Sequence, residues 1–156
     1  MALLAGATLA VSACGGGGGL SLEDYFDQVE EIDTDSTQRS DEIESALTDS
    51  EDLQEIQDLV DDLAVILEDY IADLEDLDPP EDAADAHDEY VTAATDALDA
   101  YDKFRDDVQD AEALEDLADL DTTDLDDAAD VATEACAVLQ EIADDNDINV
   151  SLDCEE

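Results

Sequence analysis

One histidine, three cysteines and a great excess of carboxylates are the residues of this chain with chemistry to offer. His87 shares a helical face with Ala83, Tyr90 and Ala94, so its ring is expected to point inward. A single histidine with no cysteine nearby is a poor transition-metal site. The reading it supports is a core histidine hydrogen-bonded to a carboxylate or a tyrosine. No serine or cysteine nucleophile lies beside a positioned base. The only glycine cluster, Gly15 to Gly19, lacks the pattern of a phosphate loop. No catalytic residue is identified, and no enzyme is expected.

The carboxylates twice mimic the spacing of a calcium-binding loop. Asp33, Asp35, Thr37, Asp41 and Glu44 stand at the right offsets, but Gln38 occupies the place where a glycine makes the turn. Asp145, Asp147, Asn149, Asp153 and Glu156 do so again, with Leu152 at the usual apolar place. There Val150 replaces the glycine and no exiting helix follows. In a chain that is one-third acid such matches arise by chance. No cofactor is therefore expected, and loosely held Ca2+ or other cations are the only ligands these sets would take.

Cys14 ends an apolar run, Met1 to Ala13, that is too short to span a bilayer and resembles the core of a signal peptide. Val11-Ser12-Ala13-Cys14 resembles a bacterial lipobox, in which the cysteine thiol takes a diacylglyceryl group and becomes the new N-terminus. No lysine or arginine precedes the apolar run, a departure that a start further upstream would explain. The organisation expected is a leader over 1–13, a lipidated cysteine and glycine tether over 14–20, and one domain over 21–156. The tether spans roughly 12 Å on average. With Cys14 lipidated, Cys136 and Cys154 remain as a pair. In an oxidising compartment they could bridge, closing a loop worth about 3 kcal/mol; two free thiols are the alternative.

The elements that must position these residues follow from the apolar spacing. A first helix starts at Ser21, with Asp24 placed as in a capping box. It carries Leu22, Tyr25, Phe26, Val29, Ile32, Ile43 and Leu47 on one stripe. The middle of that stripe is polar, so a break between Asp33 and Ser40 is expected. The second helix runs from Leu53 to Leu77 on an unbroken alternation of threes and fours. Asp78 is expected to cap the third, with Pro79 at its first position. That third helix follows Ala83, His87, Tyr90, Ala94, Ala97, Tyr101, Phe104, Val108 and Ala111. The spacing then drops to three at Leu114, Leu117 and Leu120, which predicts a kink or a short connecting helix. A fourth helix starts at Thr123, with Leu125, Ala128, Val131, Ala132, Ala135, Leu139 and Ile142 on its stripe, and Asn146 ends it. The tail from Ile148 to Leu152 is β-leaning and is expected to be pinned by Cys154. The fold class is all-α, an up-down-up-down four-helix bundle with a short extended C-terminal tail.

Charge narrows the function. There are 51 acids against three bases, a net charge of −48, and no acid precedes Glu23. Such a charge alone would argue for disorder, but the helical spacing argues for a folded domain with an acid-saturated surface. DNA and RNA are excluded as partners, because nothing could neutralise their phosphates. An anionic membrane would repel the domain, leaving a lipid on Cys14 as the only membrane contact. Like charges recur four apart in Asp58/Asp62, Asp102/Asp106/Asp110 and Asp126/Asp130/Glu134, a pattern that suits saline surroundings.

Pro79-Pro80 followed after six residues by His87, and the closing Cys136…Leu152-x-Cys154, resemble uncharacterised acidic helical lipoproteins of the bacterial cell envelope. That resemblance implies no known activity. The function expected is that of a non-enzymatic, lipid-anchored protein with a structural or partner-binding role, held outside the cytoplasm on the cell membrane or the outer membrane. The alternative is a binding module for divalent cations or a basic ligand, with a basic protein as its partner.

Overall fold

The computed structural model describes residues 19–152 and 154, and it is all-helical, with no strand among the described residues. Four long helices carry the fold: α1 (Leu22–Asp49), α2 (Leu53–Glu75), α3 (Ala84–Asp110) and α4 (Thr123–Asp145). A 3₁₀ helix, Leu114–Asp119, joins α3 to α4 where the apolar spacing drops to three. No helix among the described residues is long and apolar enough to cross a membrane. Residues 1–18, on which the expected leader, the lipidated Cys14 and most of the glycine tether fall, lie outside the described residues.

Side chains set the helix ends. Ser21 Oγ accepts from the Asp24 N–H at 3.1 Å, answering one of the donors a helix start leaves free. Asp52 caps α2 by accepting from the N–H groups of Gln54 and Glu55. At the far end of α3, Gln57 donates to the carbonyls of Val108 and Gln109, while Gln109 donates back to the Gln57 carbonyl at 3.0 Å. Those exchanges satisfy last-turn acceptors of α3 and tie it to the N-terminal part of α2.

Two sequence expectations are corrected here. The first helix does not break between Asp33 and Ser40 but runs unbroken from Leu22 to Asp49. Its polar middle has partners: Tyr70 donates to the buried Asp33 carboxylate, and Arg39 reaches Asp69 on α2 at 2.9 Å. Nor does Asp78 cap α3, which begins at Ala84 with no side-chain cap. A turn closed by the Ala83 N–H on the Pro80 carbonyl intervenes, and the Asp78 carbonyl instead accepts from the Leu20 N–H at 3.0 Å. Gly19 passes so close to that turn that a Cβ there would stand 2.9 Å from the Pro79 carbonyl oxygen.

The core has two parts. One gathers Tyr25, Phe26 and Val29 of α1, Leu74 of α2, Ala83 with Ala86 and Tyr90 of α3, Cys136, Leu139 and Ala143 of α4, and Leu152 of the tail. The other holds Val60 and Ala64 of α2 with Tyr101 and Val108 of α3, covered by residues that include Leu117, Leu120 and Leu125. Phe26, Leu74 and Leu139 are wholly buried, and each such side chain contributes about 1.5–3 kcal/mol. Helix α1 packs on α2, α2 on α3 and α3 on α4.

The chain reverses at the end of α4. The Asp147 N–H donates to the Asp144 carbonyl and the Ile148 N–H to that of Ala143, the paired bonds of a Schellman turn. Asp147, at φ 57°, takes the left-handed position usually held by glycine. It also adds a negative charge at the negative end of the helix dipole. Asp147→Gly should therefore raise unfolding stability by about 0.5–1 kcal/mol, read from urea midpoints at constant m-value. A loss of stability would show that the aspartate makes a compensating contact.

Candidate functional site

The turn at Asp147 sends the tail back along α4. Gln140 holds it there, accepting from the Leu152 N–H at 2.9 Å and donating to the Val150 carbonyl. Glu30 of α1 accepts from the Ser151 N–H. Cys154 so reaches Cys136, and the two are joined in a disulfide with Cα atoms 5.5 Å apart. The expected pinning of the tail is what the structure shows.

The first calcium-like set does not take the form of a loop, and the second is described only as far as Leu152, with Cys154. Asp33 and Asp35 sit in the continuous helix α1 and diverge. Asp33 turns inward to Tyr70, while Asp35 lies exposed 3.8 Å from the Arg39 guanidinium. Asp145 ends α4, and Asp147 and Asn149 are exposed beyond it. Asp153 and Glu156 lie outside the described residues, as does Cys14. Among the described residues no three histidine, cysteine or acidic side chains are grouped to hold a metal ion.

His87 is inward and hydrogen-bonded, as its place on the α3 stripe predicts. Its Nδ1 lies 3.0 Å from the Tyr25 hydroxyl, and its ring meets that of Tyr25 edge-on. Burial pulls the His87 pKa down, against a smaller opposite pull from Asp88, and burial pushes the Tyr25 hydroxyl up. The imidazole is thus neutral and the phenol protonated, and the histidine tautomer sets which of the two donates in the bond that joins them. A second network lies beside it: Tyr70 donates to Asp33, and the Tyr70 and Tyr90 hydroxyls share a hydrogen bond. Burial holds Tyr90 up at about 12 and raises Tyr70 further, so both phenols keep their protons. In the other half of the core the Tyr101 hydroxyl donates to the Val60 carbonyl. These groups satisfy one another inside the protein. What they do chemically is fix which helix faces meet.

A different feature faces outward. Between α3 and α4 runs an open groove of about 540 Å³. Its floor is Ala93, Val131, Ala135 and Val138, and its rim is Asp88, Glu89, Asp96 and Glu134. Val131 is 54% exposed and Val138 42%, two of the four large apolar side chains exposed among the described residues. Half of such residues therefore line one groove. A second hollow shares Asp96 and Val131 with it and continues towards Asp99, Lys103, Asp124 and Asp127. From Asp124 to Val138 the α4 wall is about 21 Å long at the helical rise.

Compared with models of known families, with curated proteins and with solved structures, the chain matches none. The groove must be read from its own chemistry.

The apolar spacing of α4 hides this groove because it places Val131 on the inward stripe. In the structure Leu139 of that stripe is buried together with Cys136 and Ala143, and Leu125 and Ala132 are half-buried, whereas Val131 is exposed. The disulfide and the small residues Ala132 and Ala143 set that orientation, leaving Val131 and Val138 on the α3-facing shoulder. The available signal was Val138, an apolar residue one position off the stripe.

Proposed function

We propose that this chain is a non-enzymatic cell-envelope protein, lipidated on Cys14, whose tether holds an acidic up-down-up-down bundle outside the membrane for a partner-binding role. The observation that carries this reading is the Cys136–Cys154 disulfide. It uses the two cysteines that lipidation leaves over, and such bonds persist in oxidising, extracytoplasmic compartments. The core supports the antiparallel arrangement. One half collects the starts of α1 and α3 with the ends of α2 and α4, which is how an up-down bundle brings them together. The tether joins at that same end, where the Leu20 N–H meets the Asp78 carbonyl. A lipid at Cys14 would thus hold the bundle by its aromatic, cross-linked half. The acid-rimmed groove favours a basic ligand over a cation as the partner, and the remaining acidic surface suits saline surroundings.

Expressed from its native gene in a bacterial host, the protein should fractionate with membranes and yield an N-terminal diacylglyceryl-cysteine by mass spectrometry. Cys14→Ala should move nearly all of it to the soluble fraction. Unchanged membrane association in that variant would reject lipid anchoring.

A further inference from the structure

We propose that the groove between α3 and α4 docks a cationic amphipathic helix of about four turns, laid along Asp124 to Val138. This deepens the partner-binding part of the reading above and rests on it. Three observations select the occupant. The floor is apolar and accessible, with Val131 and Val138 two helical turns apart and Ala135 between them, the spacing that meets an apolar stripe on a third helix. The small Ala93 and Ala135 leave room for a close approach by its backbone. The rim is acidic on both walls, Asp88 and Asp96 on α3 and Asp127 and Glu134 on α4, so lysine or arginine flanking the apolar stripe would be paired on either side.

The same charge excludes the nearer occupants. A second copy of this chain would bring acidic rim against acidic rim. Residues 1–18 are apolar enough for the floor but contain no lysine or arginine to answer the rim. Arg39 and Arg105 are held in ion pairs, with Asp69 and with Asp61 and Asp102. Lys103 lies at the far end of the groove and offers one charge. The cations must come from another molecule.

The test separates a built groove from general attraction to an acidic surface by giving the two opposite signs. The full chain is titrated with a synthetic peptide of about 14 residues, leucine on one face and lysine on the other, and with a scrambled peptide of the same composition. Val131→Asp and Val138→Asp each add a negative charge while removing floor. Val65→Asp adds the same charge at an equally exposed valine on α2, away from the groove. The amphipathic peptide should bind one to one and the scramble at least about tenfold more weakly. Val131→Asp and Val138→Asp should each raise Kd about tenfold while Val65→Asp leaves it within about twofold. Thermal midpoints near that of the parent chain show that each variant is folded. If Val131→Asp binds as tightly or more tightly, the attraction is charge alone and the groove is not a site. Absence of binding by either peptide also overturns the inference. It leaves the anchoring reading standing, because that is decided by fractionation of Cys14→Ala.

Discussion

Raising NaCl from about 0.1 M to about 2 M should lift the thermal midpoint of this protein by about 10 °C or more, smoothly and without saturation. Folding must gather a net charge of −48 onto one surface. Among the described residues the cations are few, and both arginines are already engaged: Arg39 lies against Asp35 and Asp69, and Arg105 against Asp61 and Asp102. No long helix has a basic residue in its last turn, where one would favour the dipole, and α4 ends on Asp144 and Asp145. The like pairs on α2, α3 and α4 each cost a few tenths of a kcal/mol, on the order of 2 kcal/mol together. Longer-range repulsion adds to that. As salt shortens the Debye length from ~10 Å at about 0.1 M to ~3 Å or less above about 1 M, most of this cost disappears. Magnesium and calcium should act at lower concentration, with matching curves. A flat response to NaCl would contradict the account. So would a saturating calcium isotherm, selective over magnesium and lost on neutralising Asp145, Asp147 and Asp153, which would make that segment a specific ion site.

Loss of the disulfide should cost about 3 kcal/mol, about 9 °C in midpoint for a domain of this size. The bond closes a loop across 18 positions and adds to contacts that already exist. Gln140 and Glu30 hold the tail backbone by hydrogen bonds, and Leu152 is buried against Cys136, Leu139 and Ala143. Cys154→Ala is the informative variant, because Cys154 is only half-buried and its truncation leaves the core in place. Reduction of the parent protein should reproduce the midpoint of Cys154→Ala, and the variant should no longer respond to reductant. Two titratable thiols per chain in protein made in an oxidising compartment and purified without reductant, with an unchanged midpoint in Cys154→Ala, would mean that the bond does not form.

The helices were readable because their apolar residues repeat at helical spacing over twenty residues or more. The unbroken stripe of α2 places Val60 and Leu74 where they are buried, and the apolar flank beside it places Ile66 and Ile71. Their contacts were less so, for reasons that can be named. The polar centre of α1 reads as a break until Tyr70 and Asp69, thirty or more residues away, supply its partners. Asp78 has the sequence of a cap, but its carbonyl is bound by Leu20, a backbone pairing that no local pattern encodes. The spacing of His87 places it inward, whereas the choice of Tyr25 as its partner depends on how α1 lies against α3. The groove was the least legible. Rotating α4 by one residue moves Val131 from core to surface, and periodicity alone does not resolve so small a turn.

Because each long helix packs on its neighbour in sequence, the fold has the local topology of chains that form in microseconds to milliseconds. A chain emerging N-terminus first, from a ribosome or a translocation pore, can close α1 on α2 and then add α3 without waiting for its far end. Leu74 and Tyr90 stay partly uncovered until α4 and Leu152 arrive to complete their half of the core. The covalent step can come last, since Cys136 and Cys154 are brought together by the turn at Asp147 and by Gln140. Oxidation then locks a hairpin already in place, and the chain can fold before it meets an oxidant.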